Sequence, residues 1–204
     1  MKQITILLIL FFIVSGVSAQ DTLSLKDATL GAGSYLKPEM PEQIKWRDAH
    51  RFVMVKDSVL FQQEIQTKDQ TKILSLSELN TGLKAGGLKA IKSFPVFSFI
   101  NPSQIWFRAA NRIVILNLDT KQVNQNIQYP ADAENLDFCN TNSSLAFTVN
   151  NNLFTTGTSG TIQITNDQNP HIINGKAVHR NEFGIDKGTF WSPAGNKLAF
   201  YHMD

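Results

Sequence analysis

The chain has 204 residues, 42% of them apolar, with 19 basic and 17 acidic side chains and a formal net charge of +2. That is enough apolar material for one large or two smaller folded units. So balanced a charge leaves no basic footprint for nucleic acid and no polybasic membrane patch. Cys139 is the single cysteine, which excludes an internal disulfide, and it reads as an apolar core filler. Phe, Asn, Thr and Ser are plentiful and favour strands and turns over helices, so the expected class is all-β.

Residues 1–19 differ from the rest: Lys2 is followed by an apolar run from Ile4 to Val14 and by Val17-Ser18-Ala19 before Gln20. A short basic start, a short apolar segment and a small-residue end describe a secretory signal peptide. The run is too short for a membrane span. The expected location is therefore periplasmic or secreted, with no membrane association after cleavage and a net charge of +1 left on the remainder. Residues 20–42 contain Gly31, Gly33, Pro38 and Pro41 and read as an irregular lead-in. Within it, Asp21 to Lys26 reads as a short strand and Asp27-Ala28 as a capped turn.

From residue 43 a repeat emerges when four aromatic residues are aligned: Trp46, Phe99, Phe138 and Trp191, spaced by 53, 39 and 53 residues. Turn residues follow each one (Asp48 to His50, Asn101 to Ser103, Asn140 to Asn142, Pro193 to Gly195). Seven residues after each anchor comes an apolar run, at Val53, Trp106, Leu145 and Leu198. Pro193 sets φ at the last turn and Gly195 permits a positive one. Third and fourth β-rich runs complete the first copy, at Val59 to Gln63 and Lys72 to Leu76, and the third copy, at Asn152 to Thr156 and Thr161 to Thr165. In the second copy only a third run, Arg112 to Leu118, is evident. Four short strands per 40 to 50 residues is a β-propeller pattern. The expectation is a partial propeller over residues 43–204, of about three and a half four-stranded blades, its ring incomplete and truncated within a blade. Trp46 and Trp106 read as core anchors, and Thr81 to Gly87 as an inter-blade connection.

Chemistry-bearing motifs are sparse. No G-x-S-x-G nucleophile elbow occurs; Gly157-Thr-Ser-Gly160 lacks the spacing and sits in a turn context. The catalytic residues of a serine hydrolase are therefore not expected in this chain. His50, His171, His179 and His202 show no compact ligand spacing, and His179 and Glu182 share a face only in a helix. No metal and no cofactor are expected. Glu182, in the polar segment Arg180 to Lys187, has no counterpart in the other copies. It reads either as a carboxylate that binds a cationic amine or as a solvated acid paired with Arg180 or Lys187.

The stretch Val178-His-Arg-Asn-Glu-Phe-Gly-Ile-Asp-Lys-Gly-Thr-Phe-Trp-Ser-Pro-Ala-Gly-Asn-Lys-Leu-Ala-Phe-Tyr-His-Met-Asp204 resembles the propeller domain of dipeptidyl peptidase IV-like enzymes of the prolyl oligopeptidase clan, and the resemblance is collinear back to about Gln20. It implies an exported serine peptidase that releases X-Pro or X-Ala dipeptides from peptides with a free N-terminus. In such enzymes the propeller caps a C-terminal α/β-hydrolase domain that holds the Ser, Asp and His. This chain would then be inactive alone, and the full-length protein leaves room for a homodimer. The family's paired acids, which bind the substrate ammonium, fall on Asn181 and Glu182, so one acid is kept and one replaced by a neutral amide. That substitution leaves a dipeptide or a tripeptide register open. The family also uses an Arg from an earlier blade; Arg108 lies in the corresponding blade without matching local sequence. The competing reading is an exported propeller that serves as a binding or scaffold module.

Overall fold

The computed structural model describes residues 24–31, 40–178 and 182–204. The expected signal peptide, most of the lead-in, His179, Arg180 and Asn181 lie outside those residues. The chain divides into two units, Met1–Met40 and Pro41–Asp204. In the first, Asp27–Gly31 forms a π-turn preceded by two helical residues, Leu25 and Lys26, where the sequence suggested the end of a strand. The Asp27 carboxylate accepts from the Ser24 backbone N–H and hydroxyl at 2.9 and 2.6 Å, so a cap forms but on a helical turn.

The second unit contains three antiparallel four-stranded sheets in chain order, each a simple meander. The first comprises β1 (Glu42–Trp46), β2 (Arg51–Lys56), β3 (Val59–Glu64) and β4 (Gln70–Ser75). The second comprises β5 (Phe97–Asn101), β6 (Gln104–Ala109), β7 (Arg112–Asn117) and β8 (Gln122–Gln128). The third comprises β9 (Glu134–Cys139), β10 (Ser144–Val149), β11 (Asn152–Gly157) and β12 (Gly160–Gln163). There follow β13 (Ile173–Asn174), β14 (Thr189–Trp191), β15 (Leu198–Phe200) and β16 (His202–Met203), with β14 paired to β15 and β13 to β16. The class is all-β, as expected.

Repeated turn chemistry explains the repeated sheets. After the first strand of each four-stranded sheet, a side-chain oxygen accepts from a backbone N–H two residues on: Asp48 from His50, Asn101 from Ser103 and Asn142 from Ser144. In the last hairpin Ser192 Oγ takes the Lys197 N–H, and Gly195 adopts φ +69°. The anchors sit on β1, β5, β9 and β14. Phe138 and Trp191 face Leu145 and Leu198 seven residues on, but Trp46 and Phe99 face Phe52 and Ile105 after six.

Two core clusters fill the spaces between successive sheets. One joins the first and second sheets through Val53, Leu60, Leu74, Phe97, Ile105 and Phe107. The other joins the second and third through Ile113, Ile127, Tyr129, Leu145 and Phe147. Strands β7 and β10 are buried over four consecutive residues, because both of their faces are covered. Cys139 is buried, as its apolar reading required.

Trp46 is a correction: it is 65% exposed. Each later anchor leans on the sheet before it. Phe99 packs on the first cluster, the Phe138 ring lies 4.7 Å from that of Trp106, and Trp191 Nε1 donates to the Asp137 carbonyl at 3.1 Å. Among the described residues no sheet precedes β1, and Trp46 meets Phe52 of its own sheet edge-on. Trp106 is half-buried rather than central, packed on the second cluster.

Two elements depart from the sequence reading. Strand β8, Gln-Val-Asn-Gln-Asn-Ile-Gln, supplies the fourth strand that the second copy lacked. Residues read partly as a strand end and partly as a connection form helix α1 (Leu76–Ala85). Ser75 and Glu78 cap it reciprocally: the Glu78 carboxylate accepts from the Ser75 N–H and hydroxyl at 2.8 Å, and Ser75 Oγ accepts from the Glu78 N–H. Leu79 and Leu83, four apart on one face, are fully buried.

Candidate functional site

The unequal anchor spacings locate the site. Where the interval is 39 residues, β8 and β9 are joined by residues 129–133 alone; where it is 53, a long connection intervenes, first 76–96 and then 164–188. The first connection is built on α1. The second carries Glu182.

That second connection is held by amides rather than by an apolar core. Asn152 Oδ1 accepts from Thr165 Oγ1 at 3.0 Å and the Asp167 N–H at 2.8 Å, while its Nδ2 donates to the Asp167 carbonyl. Asn174 is fully buried. Its Nδ2 donates to Asp167 Oδ2 at 2.8 Å and to the Asn151 carbonyl, and its Oδ1 lies 2.7 Å from His202 Nδ1. Every polar atom of the buried amide is thereby satisfied, which a buried amide requires.

Beyond Asn174 the chain makes an excursion over residues 177–187 and returns beside its starting point. Gly175 N–H donates to the Tyr201 carbonyl and Tyr201 N–H to the Gly188 carbonyl, at 2.8 and 2.9 Å. At this neck the backbones nearly touch: a Cβ on Gly188 would stand 2.1 Å from the Lys176 carbonyl oxygen. Glu182–Gly184 forms a 3₁₀ turn, with Phe183 at φ 55°, ψ 24° and 95% exposed. A bulky residue in the left-handed region is strained and persists where its surroundings impose it.

Ion pairs lie at both ends of the excursion. Lys187 Nζ sits 3.1 Å from Asp137 Oδ1 and 5.6 Å from the centre of the Phe190 ring, so Asp137 takes the lysine. Asp137 Oδ2 also accepts from Thr189 Oγ1 at 2.9 Å. Lys176 Nζ meets Glu134 Oε2 at 2.9 Å and holds that carboxyl below its ordinary range. Nothing in the sequence pattern marked Glu134 or Asp137, which stand 42 and 50 residues from their lysines.

The remaining sequence candidates are dispersed. Glu182 opens the turn, and Asn181 lies outside the described residues. Arg108 is exposed on β6. Ser159 occupies the β11–β12 turn between the paired Gly157 and Gly160. A groove of about 440 Å³ runs between the third sheet and the β14–β15 hairpin, lined by Ser144, Thr155, Thr156, Trp191 and Asn196 with Lys197 as its charged residue. Its described lining takes in no residue of 183–188. Among the described residues no three His, Cys, Asp or Glu side chains gather to hold a metal ion.

Residues 96–204, more than half of the chain, match the family model described as the dipeptidyl peptidase IV (DPP IV) N-terminal region. The chain belongs to this family. The match takes in the second and third sheets, the whole excursion and the Trp191 hairpin, so the sequence resemblance is borne out. Among solved structures, the chain is similar to one from Bacteroides ovatus assigned as a dipeptidyl aminopeptidase IV: 30% identity, TM-score 0.73, covering 92% of this chain and 26% of that one. It also shares a fold with Porphyromonas gingivalis dipeptidyl peptidase 4, at 15% identity and TM-score 0.54, over 91% of this chain and 28% of that one. The chain thus spans about a quarter of each of these structures.

Proposed function

We propose that the chain is the N-terminal propeller portion of an exported serine exopeptidase that releases X-Pro or X-Ala dipeptides, and that Glu182, with Asn181 beside it, binds the free amino terminus of the substrate. The observation that carries this reading is the excursion over 177–187: it lies within the DPP IV N-terminal match, has no equivalent in the other inter-sheet connections, and places Glu182 at the start of a turn whose next residue, Phe183, is strained and exposed. The three four-stranded sheets are then successive blades, and the β14–β15 hairpin the inner half of a fourth. The groove along β15 is the seat of that blade's next strand rather than a substrate pocket. Export rests on residues 1–19. The Ser, Asp and His belong to a C-terminal α/β-hydrolase portion, and this chain alone turns nothing over.

A carboxylate facing an ammonium ion makes short, charge-assisted hydrogen bonds. Each such bond contributes about 1.5–3 kcal/mol, or roughly tenfold to a hundredfold in affinity. Asn181 accepts a hydrogen bond without adding charge, so one carboxylate carries the electrostatic part. In the full-length enzyme Glu182→Gln is expected to lower kcat/KM for free-amine X-Pro reporters by about tenfold or more, and to leave N-acylated reporters unaffected. Equal losses on both substrates would reject the role of Glu182. Full activity on X-Pro reporters from the isolated 204-residue chain would reject the division of labour.

A further inference from the structure

The first strand of the third sheet is irregular. Asn135 adopts φ +52°, and the pairing of β9 with β10 slips so that Asp137 faces Ala146 while Glu134 faces Thr148. Side chains alternate between faces along a strand, so residues three apart ordinarily point to opposite sides of a sheet. One extra residue in a bulge reverses that outcome. Ala146 and Thr148 are two apart and share a face, so their partners Asp137 and Glu134 share it as well.

That common face is where the excursion begins and ends. Lys176, just before it, pairs with Glu134 at 2.9 Å; Lys187, its last residue, pairs with Asp137 at 3.1 Å. Asp137 is the more enclosed acid, its side chain 14% exposed against 66% for Glu134, and the more heavily used. Its carboxylate takes Lys187 and the Thr189 hydroxyl, and its carbonyl takes the Trp191 indole. The residue thus fixes three positions in five, all immediately following the turn that Glu182 opens.

We propose that Asp137 is a positioning residue for amine recognition: through Lys187 and Thr189 it sets the register at which the 177–187 excursion returns to the sheet, and so the placement of the Glu182 turn, with Glu134 and Lys176 holding the outgoing end more loosely. This rests on the amine-binding role of Glu182 given above. Asp137 touches no substrate. Its effect is on where the recognition turn stands, so it changes KM for substrates with a free amino terminus and leaves the chemical step alone.

The test uses the full-length enzyme and X-Pro reporters with free and acylated amino termini. Asp137→Asn, which keeps an acceptor for Thr189 but drops the charge, and Lys187→Met, at a half-exposed lysine that can change without loss of the core, are each expected to raise KM for the free-amine reporter about three- to tenfold, with kcat within twofold. The exchange Asp137→Lys with Lys187→Asp is expected to recover most of that KM. Unchanged KM in both single variants, alongside a tenfold or greater loss in Glu182→Gln, would overturn the positioning role and leave the amine-binding role standing. Equal falls in kcat on free and acylated reporters without recovery in the exchange would overturn it too, as general damage to the fold. A silent Glu182→Gln would remove the amine-binding reading and this inference with it.

Discussion

The two long connections occupy the same place in the repeat, between the last strand of one sheet and the first of the next, yet they are built from different physics. Residues 76–96 fold as a capped helix whose Leu79 and Leu83 are fully buried, and Glu78 at its first turn pairs with Lys72 at 3.1 Å and Lys121 at 2.7 Å. Residues 164–188 bury an asparagine instead, rely on ion pairs at the ends of their excursion, and leave Phe183 95% exposed. Each has one glycine on which a neighbouring backbone rests, Gly82 against the Lys121 carbonyl and Gly188 against that of Lys176. The contrast separates a segment that holds two sheets together through buried side chains from one that carries an exposed turn.

The largest effect expected from breaking that contrast is at Leu79. Leu79→Ala removes a fully buried side chain from the first cluster and should cost about 2–5 kcal/mol, read as lost hydrogen-exchange protection across α1 and β4 in the full-length protein. Among the described residues of 177–187 no buried apolar side chain offers an equivalent loss. Next, Gly82→Ala and Gly188→Ala should both fail sterically, since the added Cβ would meet a carbonyl oxygen at 2.2 and 2.1 Å. The first should lower protection of α1, and the second should raise KM for free-amine reporters. If Gly188→Ala instead loosened α1, the two connections would not be independent.

Smaller effects sharpen the comparison. Ser75→Ala removes half of the reciprocal cap and should cost about 1 kcal/mol. Glu78 is held well below the ordinary carboxylate range, first by Lys121 and then by the Ser75 N–H and hydroxyl, with burial opposing them. A depressed folded-state pKa stabilises the fold fully above the unfolded value, near 4.5, and that contribution is lost as pH falls through the folded value. Asp48, lowered to about 2 chiefly by its hydrogen bond from Arg51, follows the same sign. Unfolding of α1 should therefore steepen below about pH 4.5, and Glu78→Gln should flatten that acid limb. Smallest of all, Phe183→Gly relieves a left-handed φ at an exposed site and should leave α1 unchanged while stabilising the turn by no more than about 1–2 kcal/mol.

Much of this architecture was legible in the residues because it recurs. Four aromatic anchors and their Asp, Asn or Ser turns marked the first strand of each sheet, and the uneven spacing of 53, 39 and 53 already separated the plain connection from the two elaborate ones. What escaped has physical reasons. Strand β8 is Gln- and Asn-rich, and Val123 and Ile127 were too few to signal alternation. Helix α1 announces itself in Ser75-Leu-Ser-Glu78, a capping box hidden because Ile73 to Leu76 runs on from a strand. Trp46 looked equivalent to its counterparts, but burial depends on a preceding sheet, and none stands before β1 among the described residues. Glu182 stood out by lacking a counterpart, and its role came from resemblance. Asp137 could not be found by spacing, because its lysine lies 50 residues away and the bulge at Asn135 decides which face it shares.

The amine-binding role is tested most directly by a crystal structure of the full-length enzyme with an X-Pro dipeptide product bound. The product's ammonium group is expected to lie about 2.7–2.9 Å from a Glu182 carboxylate oxygen, with the 177–187 excursion tied to Asp137. A dipeptide whose ammonium is bound by other groups, with Glu182 turned to solvent, would contradict it.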